Sequence, residues 1–233
     1  MRIGDFVIEN GILTDYEGKH SGSGAKHIVI PEGVRAIEYA AFQNCQSIIT
    51  LVIPGSVKTV GLSSFEYCQN MESVVMMRGV TTIEQGAFSD CDSLSALTLP
   101  DSILSIGEGA FGSCGSLVSV TIPPNVAAIE GYTFSSCDSL QSVVLPDRLT
   151  YIGENAFSSC KNLRSVTIPD GVRAIADDAF WGCSALKSVT IPDSVISIGE
   201  GAFDFCDNLT IYGKANSRAH RYATENDILF VPV

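Results

Sequence analysis

A repeat of 23 residues that never changes phase is the feature that most constrains the fold of this 233-residue chain. The repeat is marked by all eight cysteines, which are Cys45, Cys68, Cys91, Cys114, Cys137, Cys160, Cys183 and Cys206. A phenylalanine stands three residues before each of them, at Phe42, Phe65, Phe88, Phe111, Phe134, Phe157, Phe180 and Phe203. A period between about 20 and 50 residues is typical of solenoids, whose repeats cannot bury their own apolar face and are stable only against neighbours. The chain is therefore expected to form one domain of eight stacked repeats.

Each repeat contains a short run in which apolar and small polar residues alternate. In Leu117–Pro123, β-branched residues dominate, and the closing proline lacks the amide proton that would continue a ladder. The run Gly107–Cys114 is too short and too rich in glycine and serine for a long helix, but the spacing of Ala110, Phe111 and Cys114 fits one turn that faces inward. Each repeat is therefore predicted to form one short parallel strand and one short α- or 3₁₀-helical turn, which makes the fold α/β.

The repeat pattern, L-x-x-V-x-I-P-x-x-V-x-x-I-g-x-x-A-F-x-x-C-x-x, resembles the BspA-like class of leucine-rich repeats, found in bacterial surface proteins and some protozoa. The resemblance covers nearly the whole chain, and all eight repeats have apolar residues, a phenylalanine and a cysteine at equivalent positions, which form columns along the stack. It implies a right-handed, horseshoe-like leucine-rich-repeat solenoid. The strand after Cys68 departs from the pattern with Met77 in place of proline, which predicts a locally looser turn.

Solenoid ends expose apolar surface, so caps are expected at both ends. The predicted boundaries are 1–25 for an N-terminal hairpin cap, 26–209 for the eight repeats and 210–233 for a C-terminal cap. In the first cap, Asn10 and Gly11 between two apolar runs are the signal of a type I′ turn. In the second, Ser217 is the predicted N-cap of a short helix that ends near Thr224.

The cysteine column has two explanations. Zinc ligands typically come in C-x-x-C pairs, whereas each repeat here holds one cysteine. Stacked residues have Cβ atoms about 5 Å apart, but a disulfide needs about 3.5 to 4.5 Å. Buried free thiols are therefore preferred to a metal or disulfide ladder. The Phe column is likewise assigned to the core, and the loss of Phe42 in the first repeat is expected to cost less stability than the loss of Phe134 in the middle.

Charge and hydropathy argue against two classes of partner. The formal net charge is −12, with only 14 Lys and Arg spread along the chain, which opposes binding to nucleic acid. No apolar run approaches the roughly 20 residues of a membrane helix, so membrane insertion is not expected. The start, Met1–Asp5, lacks the basic and apolar regions of a signal peptide, although the resemblance implies an extracellular or cell-surface protein.

The sequence offers no candidate catalytic, metal-binding or cofactor-binding residues. His20, His27 and His220 are not spaced as metal ligands, and they supply too few parts for a catalytic triad. One G-x-G-x-x-G string occurs at Gly107–Gly112, but it belongs to the turn of a repeat and opens no long helix, which argues against a dinucleotide site. Neither an enzyme nor a cofactor is therefore expected.

Two surfaces are candidates for contact with a protein partner. One is the outward strand face, which is small and uncharged, although a parallel sheet favours such residues without any ligand. Its candidate residues are Thr98, Thr121, Ser142, Thr167 and Thr190. The other is the pair Trp181 and Phe205, at the two positions before the column cysteine on adjacent repeats, where most repeats have polar or small residues. This pair is either an exposed contact anchor or is covered by the C-terminal cap.

The resemblance implies a non-enzymatic module for protein–protein interaction, similar to adhesins that bind host matrix at the cell surface. The alternative is a carbohydrate-binding protein or an enzyme with its site in the caps, because a fold does not fix a function.

Overall fold

The N-terminal segment is a short antiparallel unit. The computed structural model describes residues 2–20, 24 and 26–233. Its first elements are β1 (Arg2–Ile3), β2 (Phe6–Glu9), β3 (Ile12–Tyr16) and a 3₁₀ helix (Glu17–His20). β2 and β3 form the expected hairpin, and its loop residues Asn10 and Gly11 have φ values of 51° and 76°, as a type I′ turn requires.

Each repeat contributes one strand to a ladder of parallel strands, as the alternation of apolar and polar residues predicts. The register advances by one repeat per strand, so that Leu97 pairs with Val74. The eight repeats supply β4 (Lys26–Val29), β6 (Ile48–Ile53), β8 (Ser73–Met76), β10 (Ala96–Thr98), β12 (Ser119–Thr121), β14 (Ser142–Val144), β16 (Ser165–Thr167) and β18 (Ser188–Ile191). The C-terminal cap adds β20 (Thr210–Gly213) and β21 (Leu229–Pro232). They form three sheets, in the orders β10-β8-β6-β4, β12-β14 and β16-β18-β20-β21. The parallel-strand solenoid is therefore confirmed.

A second, shorter strand in each repeat was not predicted. After the proline the chain makes a hydrogen-bonded turn, for example from Val126 N to Pro123 O at 3.1 Å, and then runs extended for two residues. These strands are β5 (Ala36–Ile37), β7 (Thr59–Val60), β9 (Thr82–Ile83), β11 (Ser105–Ile106), β13 (Ala128–Ile129), β15 (Tyr151–Ile152), β17 (Ala174–Ile175) and β19 (Ser197–Ile198). Their isoleucines and valine are buried, so the second ladder encloses the core from another side.

The short helical turn predicted in each repeat is not formed in the described residues. Ala110 N donates to Gly107 O at 3.2 Å within one turn, whereas Gly109 N donates to Gly131 O of the next repeat at 2.9 Å. Gly109 and Ser113 have φ values of 60° and 58°, and a left-handed residue stops a right-handed helix. All eight repeats have left-handed residues at these two positions. The chain therefore forms single turns that stack on one another.

The core is a column of aromatic rings beside a column of thiols. From Phe42 to Phe203, successive rings are stacked with centroids between 4.6 and 5.7 Å apart. All eight cysteines are free and buried, which confirms that explanation of their column. The apolar interior is therefore continuous along the solenoid.

Phe42 is enclosed as completely as the rings in the middle of the solenoid. The expectation that its loss would cost less stability assumed an open terminal position, and that assumption is wrong. Tyr16 of the hairpin stacks on Phe42 at 4.8 Å, and Phe65 stacks on the other side at 4.6 Å. Phe6 adds an edge contact at 6.4 Å. The N-terminal cap thus replaces the missing repeat with aromatic residues of its own.

The predicted loosening at Met77 is also not found. Val80 N donates to Met77 O at 3.3 Å, in the same turn that Val57 N makes with Pro54 O at 3.1 Å. Met77 N, an amide donor that a proline at this position would lack, donates to Ile53 O at 2.8 Å. Methionine in place of proline therefore adds one hydrogen bond between adjacent repeats and keeps the turn.

The C-terminal cap is a helix and a final parallel strand. Helix α1 (Arg218–Glu225) begins after Ser217, whose Oγ accepts a hydrogen bond from His220 N at 3.2 Å, as predicted. Tyr222 is buried against Phe203, and its hydroxyl accepts a hydrogen bond from Phe203 N at 3.3 Å. The chain then returns as β21, which pairs with β20.

Candidate protein-contact surface

Trp181 and Phe205 form one aromatic unit on the surface. Their ring centroids lie 5.1 Å apart with the planes at 68°, the edge-to-face arrangement that aromatic quadrupoles favour. Trp181 is 39% exposed and Phe205 is 64% exposed. The contact predicted from adjacent repeats is therefore present, and both rings remain open to solvent.

The stacked turns hold this pair in place. Ser159 N donates to Trp181 O at 2.6 Å, and Gly182 N donates to Asp204 O at 2.8 Å, so the backbone beside each ring is fixed by a neighbouring repeat. Phe205 itself is left-handed, with φ of 59°. Most other repeats have a small or polar residue at that position, which tolerates the conformation more easily.

The C-terminal cap does not cover the pair. Helix α1 packs Tyr222 edge-on against the core ring Phe203 at 5.9 Å, and not against Phe205. Of the two explanations left open by the sequence, the geometry therefore favours an exposed pair.

An open groove of about 500 Å³ lies beside Phe205, at the C-terminal end of the stacked turns. Its lining includes Asp204, Phe205, Asp207, Asn226, Asp227 and Leu229. This groove was not predicted from the sequence, because it forms between the last repeat and the return of the chain towards β21. The available signal was an aromatic residue in the turn of the last repeat, next to carboxylates.

Carboxylates give this end of the solenoid a negative potential. Burial and the carboxylates of Asp177, Asp204 and Glu154 raise the pKa of Asp178, which lies one repeat before the groove. Among the described residues, none of Asp204, Asp207 and Asp227 has an ion pair or a side-chain hydrogen bond. The groove therefore presents carboxylates that are free to bind.

Most candidate residues of the strand face are exposed, at the positions that the alternation of apolar and polar residues predicts. Thr98, Thr121, Ser142 and Thr167 are exposed, and Thr190 is half-buried. In the described part of the chain, the ladder of hydrogen bonds is interrupted between β10 and β12 and again between β14 and β16. The face is uncharged but is not one continuous sheet, and it lies on a different part of the repeat from the aromatic pair.

The buried thiols donate hydrogen bonds that were not predicted from the sequence. Cys137 Sγ donates to Phe111 O of the preceding repeat at 3.3 Å, and Cys183 Sγ donates to Phe157 O at 3.1 Å. Burial raises the pKa of Cys68 and Cys137 to about 12 in each case. These thiols are therefore structural donors and poor nucleophiles.

The histidine side chains that can be described have structural partners. His27 Nδ1 lies 2.8 Å from Thr50 Oγ1, and His220 stacks on Phe230 at 4.4 Å. The side chain of His20 lies outside the described residues. No group of three His, Cys, Asp or Glu with the arrangement of a metal site occurs in the part of the chain that is described.

The G-x-G-x-x-G string at 107–112 is explained by the turn. A Cβ at Gly107 would meet the backbone of Gln85 and Glu84, and Gly109 is left-handed. These glycines serve the stacking of the repeats. Among the described helices, none is long and apolar enough to cross a membrane.

The family model of the BspA type leucine rich repeat region matches this sequence in six copies, over residues 5–114 and 81–210. The chain belongs to this family. BspA-type leucine-rich-repeat proteins are typically non-enzymatic, and they typically take part in protein interaction or are associated with surfaces.

Several solved structures are similar to this chain. A leucine-rich-repeat protein of T. pallidum superimposes with a TM-score of 0.61 at 28% identity, over 92% of this chain and 86% of that chain. A leucine-rich-repeat protein from Bacteroides ovatus gives a TM-score of 0.39 at 23% identity, over 99% of this chain and 91% of that chain. The pneumococcal vaccine antigen PcpA gives a TM-score of 0.48 at 12% identity, over 100% of this chain and 98% of that chain. No curated protein matched the sequence.

Proposed function

We propose that this BspA-type protein is a non-enzymatic, adhesin-like module that binds a host-matrix protein, and that Trp181 and Phe205 anchor the contact. The observation that carries the proposal is an aromatic pair, exposed by 39% and 64%, whose rings contact each other at positions where most repeats have small or polar residues. Aromatic residues dominate binding energy at interfaces, because they bury a large area for little loss of conformational entropy. The family assignment supports protein contact in general terms.

The strand face is the proposed second contact area. Thr98, Thr121, Ser142 and Thr167 are exposed and uncharged, and they can accept a flat partner at a low desolvation cost. Such a face adds complementarity around an anchor more than it adds energy.

The test is the binding of the full chain to a panel of purified matrix proteins, compared with the Trp181→Ser/Phe205→Ser variant. Loss of a hot-spot pair should weaken binding by about 30-fold or more, since about 2 kcal/mol is typical of one hot-spot residue. The fold should tolerate the change, because serine occupies these positions as Ser135 and Ser136, and the free energy of unfolding should shift by only about 0.5 kcal/mol.

Tyr67→Ser is the matched control. Tyr67 occupies the same position of its repeat as Phe205, is left-handed with φ of 60° and is 45% exposed. It should bind like the parent chain. If the double variant unfolds at markedly lower denaturant while binding persists, the pair is structural and the strand face becomes the anchor. If a glycan array captures the chain and no matrix protein does, the carbohydrate-binding alternative replaces this proposal.

A further inference from the structure

The ladder of turns ends at the groove with an unused backbone donor. In preceding repeats the amide before the column cysteine donates across to the next repeat, as Ser159 N does to Trp181 O and Gly182 N does to Asp204 O. Phe205 N is the next member of this series, and among the described residues it has no acceptor. By the same periodicity it is directed to the place of a next turn, which is where the groove lies. A carbonyl oxygen in the groove would therefore complete the ladder.

The groove also opens onto the end of the core. Cys206 and Leu209 are 8% and 5% exposed, whereas Cys137 and Leu140 in the middle of the stack are fully buried. Leu229 of β21, an exposed apolar side chain, also lines the groove. β21 pairs only with β20 among the described strands, so its outer edge is free to pair with an extended chain.

The side chains of the groove select a cation with a planar face. Asp204, Asp207 and Asp227 are exposed carboxylates without a partner in the described structure, and the Phe205 ring stands beside them. A guanidinium binds carboxylates through paired N–H donors and stacks on aromatic rings, whereas an ammonium acts as a point charge. The net charge of −12 further favours a basic partner.

We propose that this groove binds an extended, arginine-bearing segment of the protein partner. A backbone carbonyl of the segment accepts from Phe205 N, an arginine side chain lies between the Phe205 ring and the carboxylates, and an apolar side chain contacts Leu229. This inference rests on the proposed function, since it names the chemistry of the segment that meets the Phe205 side of the anchor.

The probe is a short fluorescein-labelled glycine-serine peptide with two arginines, and its binding to the full chain is measured by fluorescence anisotropy. A second peptide carries citrulline, the neutral isostere, in place of both arginines. The arginine peptide should bind about tenfold tighter or more, and its affinity should fall as salt is added. Equal binding of the two peptides would exclude an arginine site.

Matched variants locate the site on the chain. Phe205→Ser and Asp207→Asn should each weaken the binding of the arginine peptide by about fivefold or more. Their controls are Tyr67→Ser and Asp92→Asn, which change the same positions of other repeats and should leave binding unchanged. Equal losses in the controls would show that the peptide binds the acidic surface at large, and the groove proposal would then fail.

The two proposals can fail separately. If the Trp181→Ser/Phe205→Ser variant loses a matrix protein but the parent chain does not bind the arginine peptide, the proposed function stands and the groove proposal fails. If the peptide binds in the groove and no matrix protein binds the chain, the groove proposal stands and the adhesin function fails.

Discussion

At the scale of single residues, the buried thiol of one repeat is bonded to the backbone of the repeat before it. Cys114 Sγ lies 3.3 Å from Phe88 O, and the same bond joins Cys137 to Phe111. Alanine at these positions would leave the carbonyl without this donor, and serine would bury a more polar group. Cysteine combines a weak donor with an apolar surface, which suits a site that is closed on all sides.

This role gives the stability of the protein a dependence on alkaline pH. Burial raises the pKa of Cys137 to about 12, whereas a thiol in an unfolded chain has a pKa of about 8.5. Between these values the folded thiol keeps its proton and the unfolded one has lost it, so the free energy of unfolding falls as the pH rises. The fall for one such thiol is about 1.4 kcal/mol per pH unit.

Cys137→Ala should remove the contribution of this thiol to the fall of the unfolding free energy with pH. We expect urea denaturation at about pH 9.5 and about pH 10.5 to give a fall in unfolding free energy that is smaller by about 1.4 kcal/mol in the variant than in the parent chain. Ile129→Val, a buried change without a titrating group, should keep the parent slope. The same slope in Cys137→Ala would show that this thiol does not stay protonated in the folded protein.

At the scale of elements, the turn before each cysteine divides its donors between two acceptors. Some amides bond within the turn and others bond to the next repeat, and this pattern needs a left-handed residue at both ends of the turn. The spacing of Ala110, Phe111 and Cys114 fits a helical turn equally well, and local spacing alone cannot show that the acceptor lies 22 residues further along. That is why the inward-facing residues could be predicted but the helix was not found.

The same turns test how tightly the repeats stack. A Cβ at Gly107 would lie 2.5 Å from Gln85 N and 2.7 Å from the carbonyl carbon of Glu84, so Gly107→Ala should force adjacent repeats apart and cost about 1 to 3 kcal/mol. Gly115→Ala is the control, because its Cβ would meet only Asp92 O, at 3.9 Å. Chemical denaturation should find the control within about 1 kcal/mol of the parent chain. A tolerated Gly107→Ala would mean that the repeats are less closely packed than described.

At the scale of the whole molecule, periodicity predicted the buried columns and the longer strand of each repeat, but it could not predict features that occur once. The parallel strands and the Phe and Cys columns follow from residues that recur at 23-residue intervals. The groove beside Phe205 depends on the path from α1 to β21, and the aromatic cover of Phe42 depends on how the hairpin docks. The interruption of the ladder between β10 and β12 likewise has no counterpart in the repeat pattern. The contact between Trp181 and Phe205 could be predicted because both residues depart from the pattern, whereas the sequence left their exposure open.

The continuous ring column makes a prediction about the cooperativity of the solenoid. Phe134 is buried between Phe111 at 5.7 Å and Phe157 at 5.5 Å, so Phe134→Ala should cost about 3 to 5 kcal/mol by removing contacts with both neighbouring repeats. Phe42→Ala should cost about as much, because Tyr16 takes the place of a preceding ring. Phe203→Ala should cost less, since Phe203 has one stacked neighbour and only an edge contact with Tyr222 at 5.9 Å.

Urea denaturation followed by circular dichroism gives the three losses of unfolding free energy. A much smaller loss for Phe42→Ala than for Phe134→Ala would show that the hairpin does not act as a repeat, and a variant that unfolds in two steps would show that the column does not couple the repeats into one unit.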